Sequence, residues 1–178
     1  QYIHDQTIRL MNQGYYPDQI VEIVELPKEI KESPFLYEFY GTARWSIKSI
    51  FNGYLGWFNG NPSDLDPLSR NDEAQRFSNL IGGNENLLRA LEEAIDAKDM
   101  QWALQLSDHL IALNFSNEKV NKLRTEALLY IGERSSNPNK RNYFLTSAIE
   151  LDDNFEGFPR SEITQEAVSY THLTLPTS

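Results

Sequence analysis

With 178 residues, the chain is long enough for one domain of ordinary size, or one domain and a piece of a second, and needs no covalent staple to bury a core. It contains no cysteine, which excludes disulfides, thiolate metal sites and a cysteine nucleophile. Apolar residues at 40% and aromatics at 12% exclude a disordered chain, and a net charge of −10 repels phosphate backbones and so argues against nucleic acid as a partner.

Residues 2–11 carry a helical pattern (Tyr2, Ile3, Ile8, Leu10, Met11) that runs to about Gln13 and stops at Gly14, a residue suited to a left-handed helix end. A second helix is predicted from Pro17 and Asp18, with Ile20, Val21, Ile23 and Val24 on its apolar face and Pro27 ending it. Residues 28–40 are mixed; Ser33 and Pro34 break any helix there, while Phe35, Leu36, Tyr37, Phe39 and Tyr40 add apolar bulk. From Thr42 to Phe58 a strong helical stripe appears: Ala43, Ile47, Ile50, Phe51, Tyr54, Leu55 and Phe58. Gly53 and Gly56 lie inside it, which predicts close packing against another backbone at both. Asn59 to Pro62 reads as a turn, and residues 62–69 as loop.

The remainder reads as helix after helix. Asn71 or Asp72 is expected to cap one that ends at Gly82 and Gly83, and Asn84 the next, through Ala97. Further helices are predicted over 99–113, from Asn117 to an end at Gly132, and from Pro138 to Leu151. The helices opening at Asn84 and Asn117 each lead a short-turn pair, at a spacing near the tetratricopeptide period of about 34 residues. The predicted class is therefore all-α, built of helical hairpins with tetratricopeptide-like pairing and antiparallel packing. Ser161 marks one more helix start, and residues 169–178, rich in Thr and Ser and without formal charge, resemble translated adaptor sequence and are expected to be a non-native tail.

No apolar run approaches the ~20 residues needed to cross a bilayer, so no membrane span is predicted. The chain opens on Gln1 with a helix already under way, and is expected to be a piece of a longer protein. Its histidines, His4, His109 and His172, stand in three different segments and form neither an HxH nor an HExxH pair, so no metal site is predicted. His109 is expected on a helix surface or satisfied in the core. His4 beside Asp5, with Arg9 four residues further, fits either a carboxylate-oriented imidazole for acid–base work or an i,i+4 ion pair between Asp5 and Arg9. No nucleophile elbow, Walker loop or dinucleotide fingerprint occurs, and no catalytic residue is assigned. Gly82 and Gly83 serve as a cap.

The dense aromatic segment with interleaved bases (Tyr40, Arg44, Trp45, Lys48, Phe51, Tyr54, Trp57 and Phe58) has three readings: core, interface, or the wall of an apolar cleft. Lys119, Lys122 and Arg124 are a local cluster of bases that suits a peptide-binding tetratricopeptide-like module, the alternative function.

The segments 40–42, 45–51 and 54–62 resemble the YGT, WSVRSIF and GYLGWFDGNP block of alkyl sulfatases of the metallo-β-lactamase superfamily. Residues 2–14 are similar to that family's YIHDQTLRLMNQG stretch, and residues 142–148 to its NFYLxGA segment. The resemblance implies an enzyme that hydrolyses alkyl sulfate esters to alcohol and sulfate at a binuclear zinc centre, works as a homodimer, and is often exported. It implies that residues 1–26 are the end of the catalytic domain, 27–154 the helical dimerisation domain, and 155–168 a linker toward a domain resembling sterol carrier proteins. The family's zinc ligands, in an HxHxDH motif and later Glu and His positions, have no counterpart here, so none is carried over and no cofactor is assigned to this chain. Some members have His where Trp45 stands; Trp45 carries no titratable group, which leaves it to pack or to shape a cleft.

Overall fold

The structure is a computed structural model and describes residues 1–152. The predicted linker at 155–168, the helix start at Ser161 and the tail at 169–178 lie outside the described residues.

Helix ends follow from local chemistry. α1 (Tyr2–Met11) terminates through Gly14, whose φ of +82° lets the Tyr15 amide turn back to the Leu10 carbonyl at 3.2 Å. α2 (Pro17–Ile23) opens with proline in its first position, and the Gln19 side chain accepts the Tyr16 amide. Residues 28–40, expected to be mixed, hold one short helix, α3 (Lys28–Lys31), before the chain runs irregularly to Thr42. Thr42 Oγ1 then accepts the Trp45 amide and starts α4 (Ala43–Leu55).

The remaining described helices are α5 (Arg70–Ile81), α6 (Asn84–Asp96), α7 (Met100–Ala112), α8 (Glu118–Arg134) and α9 (Pro138–Ile149). With no strand among the described residues, the all-α class holds. Two- to five-residue connections join α5 through α9, and consecutive helices of this length in contact across such turns must run antiparallel. The turns after α6 and α7 share one geometry. Lys98 (φ 59°) and Asn114 (φ 53°) sit in the left-handed region while the next amide, of Asp99 or Phe115, reaches back to Ala94 or Leu110. These turns follow consecutive helices, so the repetition runs helix by helix, at about half the predicted tetratricopeptide-like period.

Several expectations are corrected. The α4 stripe ends at Leu55 rather than Phe58, because Gly56 takes φ +79° and leaves the helix. A Cβ at Gly53 or Gly56 would meet nothing within 4 Å, so neither packs against a backbone. The helical glycine with a close neighbour is Gly132, and that neighbour is side chain rather than backbone: a Cβ there would lie 2.8 Å from Leu145 Cδ2 and 3.3 Å from Phe144 Cβ. Accordingly α8 does not end at Gly132 but runs on to Arg134, the glycine admitting α9 at close range. α5 is capped by Ser69, not Asn71 or Asp72; Ser69 Oγ accepts the Asp72 amide and donates to its carboxylate at 2.7 Å. Asn84 is the first residue of α6 rather than its cap, its amide oxygen accepting from Ser78 Oγ at 2.6 Å. The loop at 62–69 contains a 3-10 turn, Pro62–Asp64.

Burial falls in two clusters. Leu10, Ile20, Val21, Ile47 and Phe51 close the space between α1, α2 and α4. The larger cluster, centred on Leu87, Leu91, Leu106, Leu110 and Val120, fills the interior of α5 through α9. Arg124 ties α7 to α8: one guanidinium nitrogen donates to Ser107 Oγ (2.5 Å), the Asp108 carboxylate (2.7 Å) and the Leu104 carbonyl (3.3 Å). Among the described residues no helix is long and apolar enough to cross a membrane.

Candidate functional site

α4 divides the predicted aromatic set between two environments. Positions 47 and 51, one turn apart, point into the small core, and Phe51 is only 5% exposed. Trp45, Tyr54 and Trp57 point outward, Trp57 being 72% exposed, with Tyr40 outward on the preceding loop. Half-buried Phe58 meets Trp57 edge-on at 5.8 Å between ring centroids. The stripe is thus core along one edge and an uncovered aromatic face along the other.

The two bases of the set are engaged by α2. Arg44 Nη2 lies 2.9 Å from Glu22 Oε1, and Lys48 Nζ lies 2.7 Å from Asp18 Oδ1. Each helix presents its pair one turn apart, so the contacts form two rungs between α2 and α4. Both rungs are exposed, and each contributes no more than about 1 kcal/mol; the packing of Ile20, Val21, Ile47 and Phe51 beneath them holds the helices together.

His4 links α1 to α4. Its Nε2 is 3.0 Å from the Tyr54 hydroxyl, and its Nδ1 is 3.2 Å from Asp5 Oδ1. Arg9 does not pair with Asp5 as the i,i+4 reading expects: its Nε donates to Gln6 Oε1 at 2.9 Å. The carboxylate–imidazole–phenol chain is exposed throughout and has no nucleophile beside it, so it joins two helices. His109 stacks on Phe77 at 4.8 Å and is half-buried, as expected of a satisfied histidine. It borders a groove of about 700 Å³ between α5 and α7, which also touches Arg70, Glu73, Trp102 and Asp108 but none of the predicted aromatic set.

Among the described residues no three His, Asp or Glu side chains converge as metal ligands, so these residues do not fit a zinc centre. Of the three bases suggested for peptide binding, Arg124 is committed to α7 and Lys119 to Glu92 at 2.5 Å.

Sequence reasoning missed the groups that hold the loop before α4. Asn137 is nearly buried. Its Oδ1 accepts the Lys140 amide to cap α9, while its Nδ2 donates to the Glu38 carbonyl at 2.6 Å and the Gly41 carbonyl at 3.4 Å. Asn139 donates to the Tyr40 carbonyl at 2.7 Å, and the Glu38 carboxylate accepts the Ala43 amide at 2.6 Å. Asn137 before Pro138 is legible as a helix start; its grip on a loop 99 residues away is not.

Stacked helical hairpins that leave a row of aromatics uncovered belong to the class of helical domains with an interaction surface. The chain belongs to the alkyl sulfatase dimerisation family, whose sequence profile matches residues 16–154. A linear primary-alkylsulfatase of Pseudomonas sp. is 41% identical over 157 residues, which make up 88% of this chain and 30% of that protein. An (R)-specific secondary-alkylsulfatase of Pseudomonas sp. is 30% identical over 151 residues, 84% of this chain and 23% of that protein. The solved structure of the stereoselective inverting sec-alkylsulfatase Pisa1 from Pseudomonas sp. superposes with a TM-score of 0.78 at 30% identity, covering 84% of this chain and 24% of that one. This chain therefore spans less than a third of the length of these relatives.

Proposed function

We propose that this chain is the dimerisation region of an alkyl sulfatase, an enzyme of the metallo-β-lactamase superfamily that hydrolyses alkyl sulfate esters to alcohol and sulfate. The observation that carries the reading is the family match over residues 16–154, supported by relatives named as primary and secondary alkylsulfatases. The region's own task is mechanical: it holds two copies in a homodimer through an isologous two-fold contact. Residues 1–26 form the end of the catalytic part and 27–154 the dimerisation domain; the packing of α1 and α2 onto α4 supplies a firm joint between them.

The hydrolytic chemistry of the longer enzyme is assigned to a binuclear zinc centre held by residues other than the described ones. Zinc there would supply an activated water and positive charge for the sulfate. On this chain the outward aromatics Tyr40, Trp45, Tyr54 and Trp57 form an apolar wall suited to a subunit contact or an alkyl chain, with Arg44, Lys48, Phe51 and Phe58 holding that wall in place.

Light scattering coupled to size-exclusion chromatography tests the reading. The chain is expected to elute with twice its formula mass at micromolar concentration, and a clean monomer there overturns it.

A further inference from the structure

The loop between α3 and α4 is built to be displayed. Over residues 34–40, Phe35 is 93% exposed and Tyr40 81%, and Leu36, Tyr37 and Phe39 are each at least half exposed. A loop this apolar ordinarily folds its side chains inward, since each buried aromatic gains about 1.5–3 kcal/mol. Here the backbone is held instead. Asn137 fixes the Glu38 and Gly41 carbonyls, Asn139 fixes the Tyr40 carbonyl, and Tyr37 packs on Phe39 with centroids 5.8 Å apart. Tyr143, one turn beyond Asn139 on α9 and 77% exposed, extends the surface.

The segment carries a single formal charge. Its one ionisable acid, Glu38, has its carboxylate on the Ala43 amide at the start of α4. Two copies of a chain of net charge −10 repel one another across most of their surfaces, and an apolar strip whose single carboxylate is turned to a helix N-terminus is where that repulsion is small. At roughly 200 Å² for a full aromatic side chain, the six side chains offer on the order of 800 Å², what each partner gives to a standard interface. Phe and Tyr are the residue types enriched at such centres.

We propose that the loop at 34–40, clamped by Asn137 and Asn139 and flanked by Tyr143, is the seam through which two copies of this chain pair. This rests on the dimerisation reading above and adds the place.

Sedimentation equilibrium of the full chain tests it, comparing wild type, a Phe35→Glu/Tyr40→Glu double variant, Asn139→Ala, and a Leu65→Glu/Leu80→Glu control that adds equal charge on exposed apolar positions elsewhere. The loop variant is expected to weaken the dimer by at least about tenfold, Asn139→Ala by several-fold, and the control not at all. A wild-type monomer overturns the dimerisation reading itself. A wild-type dimer left intact by the loop variant overturns only the seam, and the loop then faces the remainder of a longer enzyme. Equal weakening by the control also overturns the seam, since added charge alone accounts for it. Should the loop variant fail to fold, hydrogen exchange of wild-type amides 34–41 across a dilution series decides: protection that grows with dimer fraction supports the seam, and protection independent of concentration overturns it.

Discussion

Asn137 does two jobs with one amide group, and the two are separable by substitution. Asn137→Asp keeps an oxygen for the Lys140 amide, since Asp caps helices as well as Asn does, but has no N–H for the Glu38 and Gly41 carbonyls. Asn137→Ala removes both functions. Loss of the cap costs about 1 kcal/mol, and loss of the two part-buried bonds to the Glu38 and Gly41 carbonyls about 1–2 kcal/mol more. Urea unfolding is expected to place Asn137→Ala about 2–3 kcal/mol below wild type. Circular dichroism should show α9 retained in Asn137→Asp although the loop is released. Equal helix loss in both variants contradicts this division. The residue scale is also where the sequence was hardest to read. The caps at Thr42, Asp99 and Asn117 follow from side-chain type and the adjacent helical pattern. The bonds from His4 to Tyr54 and from Asn139 to Tyr40 join segments far apart in the chain, and no local spacing signals them.

Among helices, the glycines separate what sequence shows from what only packing shows. A mid-helix Gly in a strong apolar pattern predicts a close backbone neighbour, and α4 and α8 both carry one. Neither has a backbone neighbour, but the side chains of Leu145 and Phe144 on α9 lie close against Gly132, whereas Gly53 faces open space. The two should therefore respond to alanine with opposite signs. Gly53→Ala is expected to stabilise the protein by about 0.5–1 kcal/mol, the ordinary gain of helix propensity. At Gly132 the same gain is outweighed by overpacking of about 1–3 kcal/mol, for a net loss of about 1 kcal/mol. Thermal or urea unfolding of the pair checks this, and a stabilised Gly132→Ala would mean that Leu145 swings aside freely. Helix positions and amphipathic faces were readable because period and caps are local. The outward turn of Trp45, Tyr54 and Trp57 was not, since an aromatic stripe reads the same whether its second edge meets core, partner or solvent.

For the molecule as a whole, the described helices bury two separate apolar clusters. Helix contacts follow the same division: α1, α2 and α4 touch one another, and α5 through α9 touch one another. The division predicts unequal local stability. Phe51→Ala removes a large side chain from the smaller cluster, a change that typically costs about 3–5 kcal/mol. Hydrogen exchange is expected to show amides of α1, α2 and α4 losing protection while those of α6, α7 and α8 keep theirs. Uniform loss across all of them would show that the clusters unfold as one. Fold class was legible at this scale from periodicity and short turns, and the family from the segments at 2–14 and 40–62. That α1 and α2 share a core with α4 was not, because apolar pattern names a buried face without naming what it is buried against.

The clamp on the display loop comes from the far end of the described chain, 99 residues after the carbonyl it grips. During synthesis the loop leaves the ribosome long before α9 exists to hold it, so its aromatics are unfixed while α4 through α8 are still being made. A chain truncated before Asn137 would carry the sticky segment without its fastening. On the proposed seam, synthesis thereby sets the order of assembly, since α9 must be made before the adhesive surface takes the shape that a sister polypeptide can grip.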